Sequence, residues 1–155
     1  MKLLVLPRWL LGASLLLCFQ SAFAQEHGTR AEAQAMAQAA VAHIKKVGTE
    51  QAFKDFTNDK ATWTKKDLYV WGSDNQGNCV THGANPKLIG KNFMELRDTN
   101  DKAFIKEAIA LVKAKGSGWV DYEWAHPQLK KIESKTSDFL KAGDFDGWIA
   151  VGIYL

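Results

Sequence analysis

Few residues in this chain could carry chemistry, and the first is His82. It closes the run Cys79-Val80-Thr81-His82 and precedes a loop containing Asn85-Pro86. Histidine titrates near neutrality, so it can hold a proton, pass one on, or ligate a metal. Cys79-x-x-His82 supplies two ligands and no companion pair follows, short of the four that a structural zinc takes. Asp144-x-Asp146-Gly147 and Asp98-x-Asn100-Asp101 are fragments of a calcium loop without its terminal bidentate Glu, and turn and cap chemistry accounts for both. His82, Asp121 and Glu123 stand at no recognisable catalytic spacing, and no phosphate loop, nucleophile elbow, zincin helix or haem-attachment motif occurs. The residues thus point away from an enzyme and call for no metal or other cofactor. His27, His43 and His126 read as surface or turn residues. What remains is binding. Tyr69 shares a strand face with Trp71, and Tyr122 shares one with Trp124; each pair is either an aromatic pocket wall with a phenol as polar handle or part of the core.

The elements that must position these residues follow from periodicity. Asp67, Tyr69 and Trp71 alternate with Leu68 and Val70, a strand pattern, and Ser73 to Asn78 turns the chain back into Cys79–His82. Asn85-Pro86 forbids helix at residue 85, so Gly83 to Lys91 is an ordered loop. Upstream, Thr29 and Glu32 form a capping box ahead of Met36, Ala40, Val41, Ile44 and Val47 at helical spacing. Gly48 interrupts that helix, a second short one follows with Phe53 and Phe56 as anchors, and Asn58 to Lys66 is a polar lead into the hairpin. Downstream, Asp98 to Asp101 caps a helix through Phe104, Ile105, Ala108, Ile109, Leu111 and Val112 that Gly116 stops. Strands are expected at Trp119–Trp124, Ile132–Lys141 and Trp148–Leu155, joined by short turns that only antiparallel neighbours allow. The order α, β-β, loop, α, β-β-β is an α+β fold: a five-stranded antiparallel sheet with helices on one face.

The ends and the charge set the context. Lys2 and Arg8 flank a short apolar run from Trp9 to Phe19, and Ala22-Phe23-Ala24 is a small-x-small cleavage site, so Met1 to Ala24 reads as an export signal and Gln25 to Leu155 as one periplasmic domain. Loss of Lys2 and Arg8, with no acid lost, takes the formal net charge from +3 to +1. Such a balance gives no electrostatic case for nucleic acid or a membrane surface. Cys79 is then the single cysteine, so no internal disulfide forms, and it reads as a small buried residue.

The stretches DLYVWGSDNQGNCVTHGANPKLIGKN, GSGWVDYEW, KIESKTSDFL and GWIAVGIYL, in this order and spacing, closely resemble the single-domain Cache family of extracytoplasmic sensor modules. The resemblance covers nearly all of Gln25 to Leu155. It implies a PAS-like sheet with a long N-terminal helix packed along it, a further helix between strands two and three, and a small-molecule site between the sheet and the loop-helix side. It also implies a ligand class of small organic anions such as acetate, propionate, pyruvate and lactate. Asp138 stands where the family's pattern has an aromatic residue.

Taken alone, Lys135 reads as an outward-facing strand lysine; the resemblance instead implies that it is the anion partner. A carboxylate drawn out of water must be paired and hydrogen-bonded, which one lysine does not achieve. Tyr122, Tyr69 and His82 are the candidate donors that complete the site, with Trp124 and Trp71 as apolar walls. Two readings follow. One is a binder and sensor of a short-chain carboxylate that passes its signal to a membrane receptor or kinase. The other is a ligand-free interaction module, its pocket filled by its own Trp and Tyr side chains, that docks on a membrane sensor or forms a homodimer through the N-terminal helix.

Overall fold

A computed structural model describes residues 27–155, so the export-signal reading of Met1 to Ala24 lies outside the described residues. Thr29 starts helix α1 (Arg30–Val47) with the expected capping box: its hydroxyl accepts from Glu32 N at 3.2 Å, and Glu32 Oε2 accepts from Thr29 N at 2.9 Å. The buried stripe of α1 is Ala33, Ala37, Ala40 and Ile44, whereas Val47 is 37% exposed. Met36 and Val41 sit at the edge of the contact, so the face is rotated from the expected one. Small side chains let the helix lie close to the sheet, and the bulk is supplied from below by Leu68, Val70, Ile149, Val151 and Ile153.

Gly48, at φ 86°, breaks the chain into α2 (Thr49–Asn58), which buries Phe56. The expected polar lead-in is in fact structured. It holds the short helix α3 (Lys60–Trp63) and the two-residue strand β1 (Thr64–Lys65), with Trp63 buried against Phe56 at 4.7 Å. Then come β2 (Leu68–Asp74), β3 (Cys79–His82), a 3-10 turn at Pro86–Leu88, α4 (Phe104–Lys115), β4 (Ser117–Ala125), β5 (Ile132–Lys141) and β6 (Gly147–Tyr154).

The main sheet is antiparallel in the order β3-β2-β6-β5-β4, with β1 on the same edge of β2 as β3. Helices cover both faces rather than one. α1 and α2 lie over Val70, Ile149 and Val151, while α4 and the loop before it lie over Tyr69, Trp71, Tyr122 and Phe139. The reason is in β6, whose eight residues are all buried. A central strand with no polar face must be covered on both sides.

One capping expectation is corrected. Asp98 does not cap α4; Ala103 precedes the helix without a side-chain bond. Asp98 instead accepts from Asn100 N, Lys102 N and Glu123 N, which fastens the loop to β4. Gly116 ends α4 at φ 80°, the left-handed conformation that favours glycine.

Candidate functional site

Cross-strand register builds the site on the α4 face. Lys135 of β5 lies opposite Tyr122 of β4 on one side and Tyr154 of β6 on the other. Its side chain runs over β6 at Gly152, where a Cβ would come within 2.8 Å of Lys135 Cε and 1.9 Å of Ser137 Oγ. Across that gap Nζ donates to Tyr69 Oη at 2.7 Å and to Tyr154 Oη at 3.4 Å, and it sits 4.1 Å and 4.5 Å from the two ring centres. Tyr154 Oη donates its own hydrogen bond to Ala125 O at 2.9 Å. Lys135 is 1% exposed, and burial lowers its pKa from 10.5 to about 7, partly offset by the charge of Asp67. Among the described residues no carboxylate pairs with it directly; the aromatic faces add to the attraction from Asp67.

His82, at the end of β3, is 2% exposed and stacks on Tyr69 with ring centres 5.1 Å apart. Its Nδ1 accepts from Ala84 N at 3.3 Å and Asn85 N at 3.0 Å, so the turn containing Pro86 folds over one edge of the ring. Burial, then Lys135 and Lys60, lower its pKa to about 3. The imidazole is therefore neutral with its proton on Nε2, by the hydrogen-bond pattern. That Nε2–H is buried and has no partner among the described residues.

His126 repeats the device after β4. It is fully buried, and its Nδ1 accepts from Gln128 N and Leu129 N, each at 3.2 Å. Its ring lies 4.4 Å from that of Tyr154. Reading His126 as a surface or turn residue is thus corrected: it sits in the turn but points inward. The recurrence of His before a proline turn at 82 and 126 was the available signal. His27, Asp67 and His126 bring ligand atoms within 4.8 Å of one another. The hydrogen bonds assign this group another role, since His126 Nδ1 is occupied by two backbone donors, and Asp67 accepts from Gly28 N at 2.6 Å and bonds His27 Nδ1 at 2.8 Å. It is a clamp that fastens the segment before α1 to the start of β2.

Between the two proline turns lies a cavity of about 500 Å³, with Tyr69, His82, Trp124 and His126 in its wall and Lys87 and Lys130 at its mouth. Of the residues expected to line a site, Tyr69, His82 and Trp124 are in that wall, and Lys135 stands directly behind Tyr69. Trp71 and Tyr122 are one layer further in. Trp71 packs edge-on to Trp148 at 4.8 Å, and Tyr122 stacks on Phe104 at 4.3 Å with its hydroxyl bonded to Ser137 Oγ at 2.8 Å. Tyr154, which sequence reasoning did not single out, completes the lysine's surroundings. Asp138 pairs in register with Val151, on the α1 side of the sheet, so its departure from the family pattern does not touch the cavity. Cys79 is buried, and burial pushes its thiol up to about 11, which keeps it unreactive.

The profile of the family described as Single Cache domain 2 matches residues 11–155. The chain belongs to this family. As a Cache domain it is a sensor module of the type found in chemotaxis receptors and histidine kinases. It is 32% identical over 90 residues to the methyl-accepting chemotaxis protein McpP of Pseudomonas putida, and 31% identical over 90 residues to the sensor histidine kinase MctS of Rhizobium johnstonii. Those matches cover 57% and 58% of this chain but only 16% and 19% of the relatives, so the chain corresponds to a small part of each. Among solved structures it is similar to a methyl-accepting chemotaxis protein from Vibrio parahaemolyticus, with TM-score 0.69 and 25% identity over 80% of this chain and 86% of that one. A Cache chemosensory domain described in terms of carboxylic acid recognition has the same fold at TM-score 0.69 and 24% identity, over 81% of this chain and 92% of that one. No described helix is long and apolar enough to cross a membrane.

Proposed function

We propose that this Cache domain is an extracytoplasmic sensor module that binds a short-chain carboxylate, of the class of acetate, propionate, pyruvate and lactate, reversibly and without chemical change. The observation that carries the reading is the buried, partnerless Nε2–H of His82 in the wall of a cavity that has Lys135 behind it. A buried donor without an acceptor costs free energy, and a carboxylate oxygen relieves that cost. In this reading the anion accepts from His82 Nε2 and Tyr69 Oη, Lys135 supplies the compensating charge through Tyr69, and Trp124 covers the alkyl part. The carboxylic acid recognition attributed to a structural neighbour supports the ligand class. The chemotaxis receptor and histidine kinase among its relatives support a membrane receptor or kinase as the partner. Met1 to Ala24 acts as the export signal that takes the domain to the periplasm. The open cavity beside Tyr69 and Trp124 weighs against a pocket filled by its own aromatic side chains.

The magnitudes are compatible with sensing. At a ceiling of about −1.5 kcal/mol per heavy atom, a four-atom acid reaches roughly −6 kcal/mol, a dissociation constant of tens of micromolar. The test is a thermal-shift screen of purified Gln25–Leu155 against short carboxylates, amino acids and amines, with hits measured by calorimetry. A shift confined to carboxylates supports the reading. Binding by amines or amino acids only, or no binding by any compound, sinks it.

A further inference from the structure

We propose that the preferred ligand of this cavity is a dicarboxylate of four to six carbons, held at both ends. The proposal rests on the carboxylate reading above and goes beyond it in ligand class. It follows from the charge and depth of the lining. Among the described residues no Asp or Glu lines the cavity, while cationic or donor groups occur at two depths. The buried set is Tyr69 and His82, with Lys135 behind; the solvent-side set is Lys87 on the 3-10 turn and Lys130 on the turn after β4, both exposed.

Neither Lys87 nor Lys130 forms an ion pair among the described residues. Lys130 Nζ reaches only the carbonyl of Pro127, within its own turn. A single carboxylate at His82 satisfies the floor and leaves Lys87 and Lys130 in the lining without an anionic partner among the described residues. A second carboxylate at the mouth gives both cations an anionic partner. Exposed pairs of this kind are individually weak, but two lysines converging on one anion add.

Size points the same way. At about 30 Å³ for each water-sized group, a four-heavy-atom acid takes up roughly 120 Å³. The cavity is about 500 Å³, so such an acid leaves most of it to water. An acid of eight to ten heavy atoms takes up roughly 240 to 300 Å³ on the same scale, about half of the cavity.

The experiment is calorimetry on purified Gln25–Leu155 at pH 7.5 and low salt, using acids matched in chain length: butyrate against succinate, valerate against glutarate, hexanoate against adipate. The expected result is that at least one dicarboxylate binds tenfold or more tightly than its matched monocarboxylate. In a Lys87→Gln/Lys130→Gln double variant, checked for folding by circular dichroism, that ratio falls to about one. Monocarboxylates binding as tightly as their partners, or a ratio that survives the double substitution, overturns the dicarboxylate proposal and leaves the carboxylate reading standing. Failure of both series to bind overturns the dicarboxylate proposal, and the carboxylate reading falls with it only if acetate, propionate, pyruvate and lactate, titrated alongside, also fail to bind.

Discussion

At the scale of residues, Lys135 is stabilised by two phenol oxygens, two ring faces and the more distant charge of Asp67 but by no directly paired carboxylate among the described residues, so it is only partly protonated at neutral pH. Two outcomes follow. Lys135→Met removes the anion's charge partner and should weaken binding of the acid identified in the ligand screen by more than tenfold, by calorimetry. The same change should raise the melting temperature, because a buried ammonium is exchanged for an apolar side chain of similar length. A variant that keeps full affinity would show that Lys135 is not the anion partner. The second outcome concerns pH. Because the folded pKa of about 7 lies below the ordinary 10.5, the unfolded chain holds the extra proton between those values. This group's contribution to stability therefore rises with pH from about 7 to 10.5. Anion binding runs the other way. It favours the charged lysine, so above pH 7 affinity should fall by about tenfold per unit as each binding event takes up a proton. Affinity flat from pH 7 to 9 would contradict the assignment.

Between residues and the whole stand the elements, and here β5 and β6 decide most. Gly152 is open because Lys135 and Ser137 occupy the space its side chain would fill. Gly152→Ala should destabilise the domain by about 1–3 kcal/mol by overpacking and displace the lysine from Tyr69, so urea unfolding and ligand affinity should both suffer. Unchanged stability would mean that β6 can shift without cost. On the other face of β5, Asp138 is buried under the helix layer with no ion-pair or hydrogen-bond partner among the described residues, and burial raises its pKa to about 6. A raised carboxyl pKa costs stability above pH 6 and nothing below about 4. Asp138→Asn should accordingly raise stability at pH 7.5 by about 1–3 kcal/mol, with the gain vanishing near pH 4. A gain of equal size at both pH values would assign the effect to packing instead.

The whole molecule joins a cavity between two proline turns to a sheet covered on both faces, and ligand binding must register as stability. An acid held at a hundred times its dissociation constant should add about 2.7 kcal/mol, a shift of several degrees. Much of this was legible in the chain. The capping box at Thr29, the hairpin from Leu68 to His82, the left-handed stop at Gly116 and the limits of β5 are local events, written in side chains a few residues apart. Family resemblance singled out Lys135 as a candidate anion partner, and the structure shows it buried beside Tyr69. Other features were not legible, because they depend on which residues from distant elements share a face. Alanine cannot be told by periodicity to be the buried side of α1 until bulky sheet residues are set beneath it. Asp98 looks like a helix cap until β4 offers it Glu123 N. Trp71 and Tyr122 follow the same alternation as Tyr69 and Trp124, yet the packing of Trp148 and Phe104 draws them into the core. By itself, then, the sequence determined the main helices and strands and their order, because helix and strand periods and turn chemistry are short-range, and the family resemblance carried the sensor-domain class. Only the tertiary structure decided that Lys135 crosses Gly152 to meet Tyr69 and Tyr154, and that His126 joins His82 at the cavity, because those contacts join strands far apart in the chain through cross-strand register.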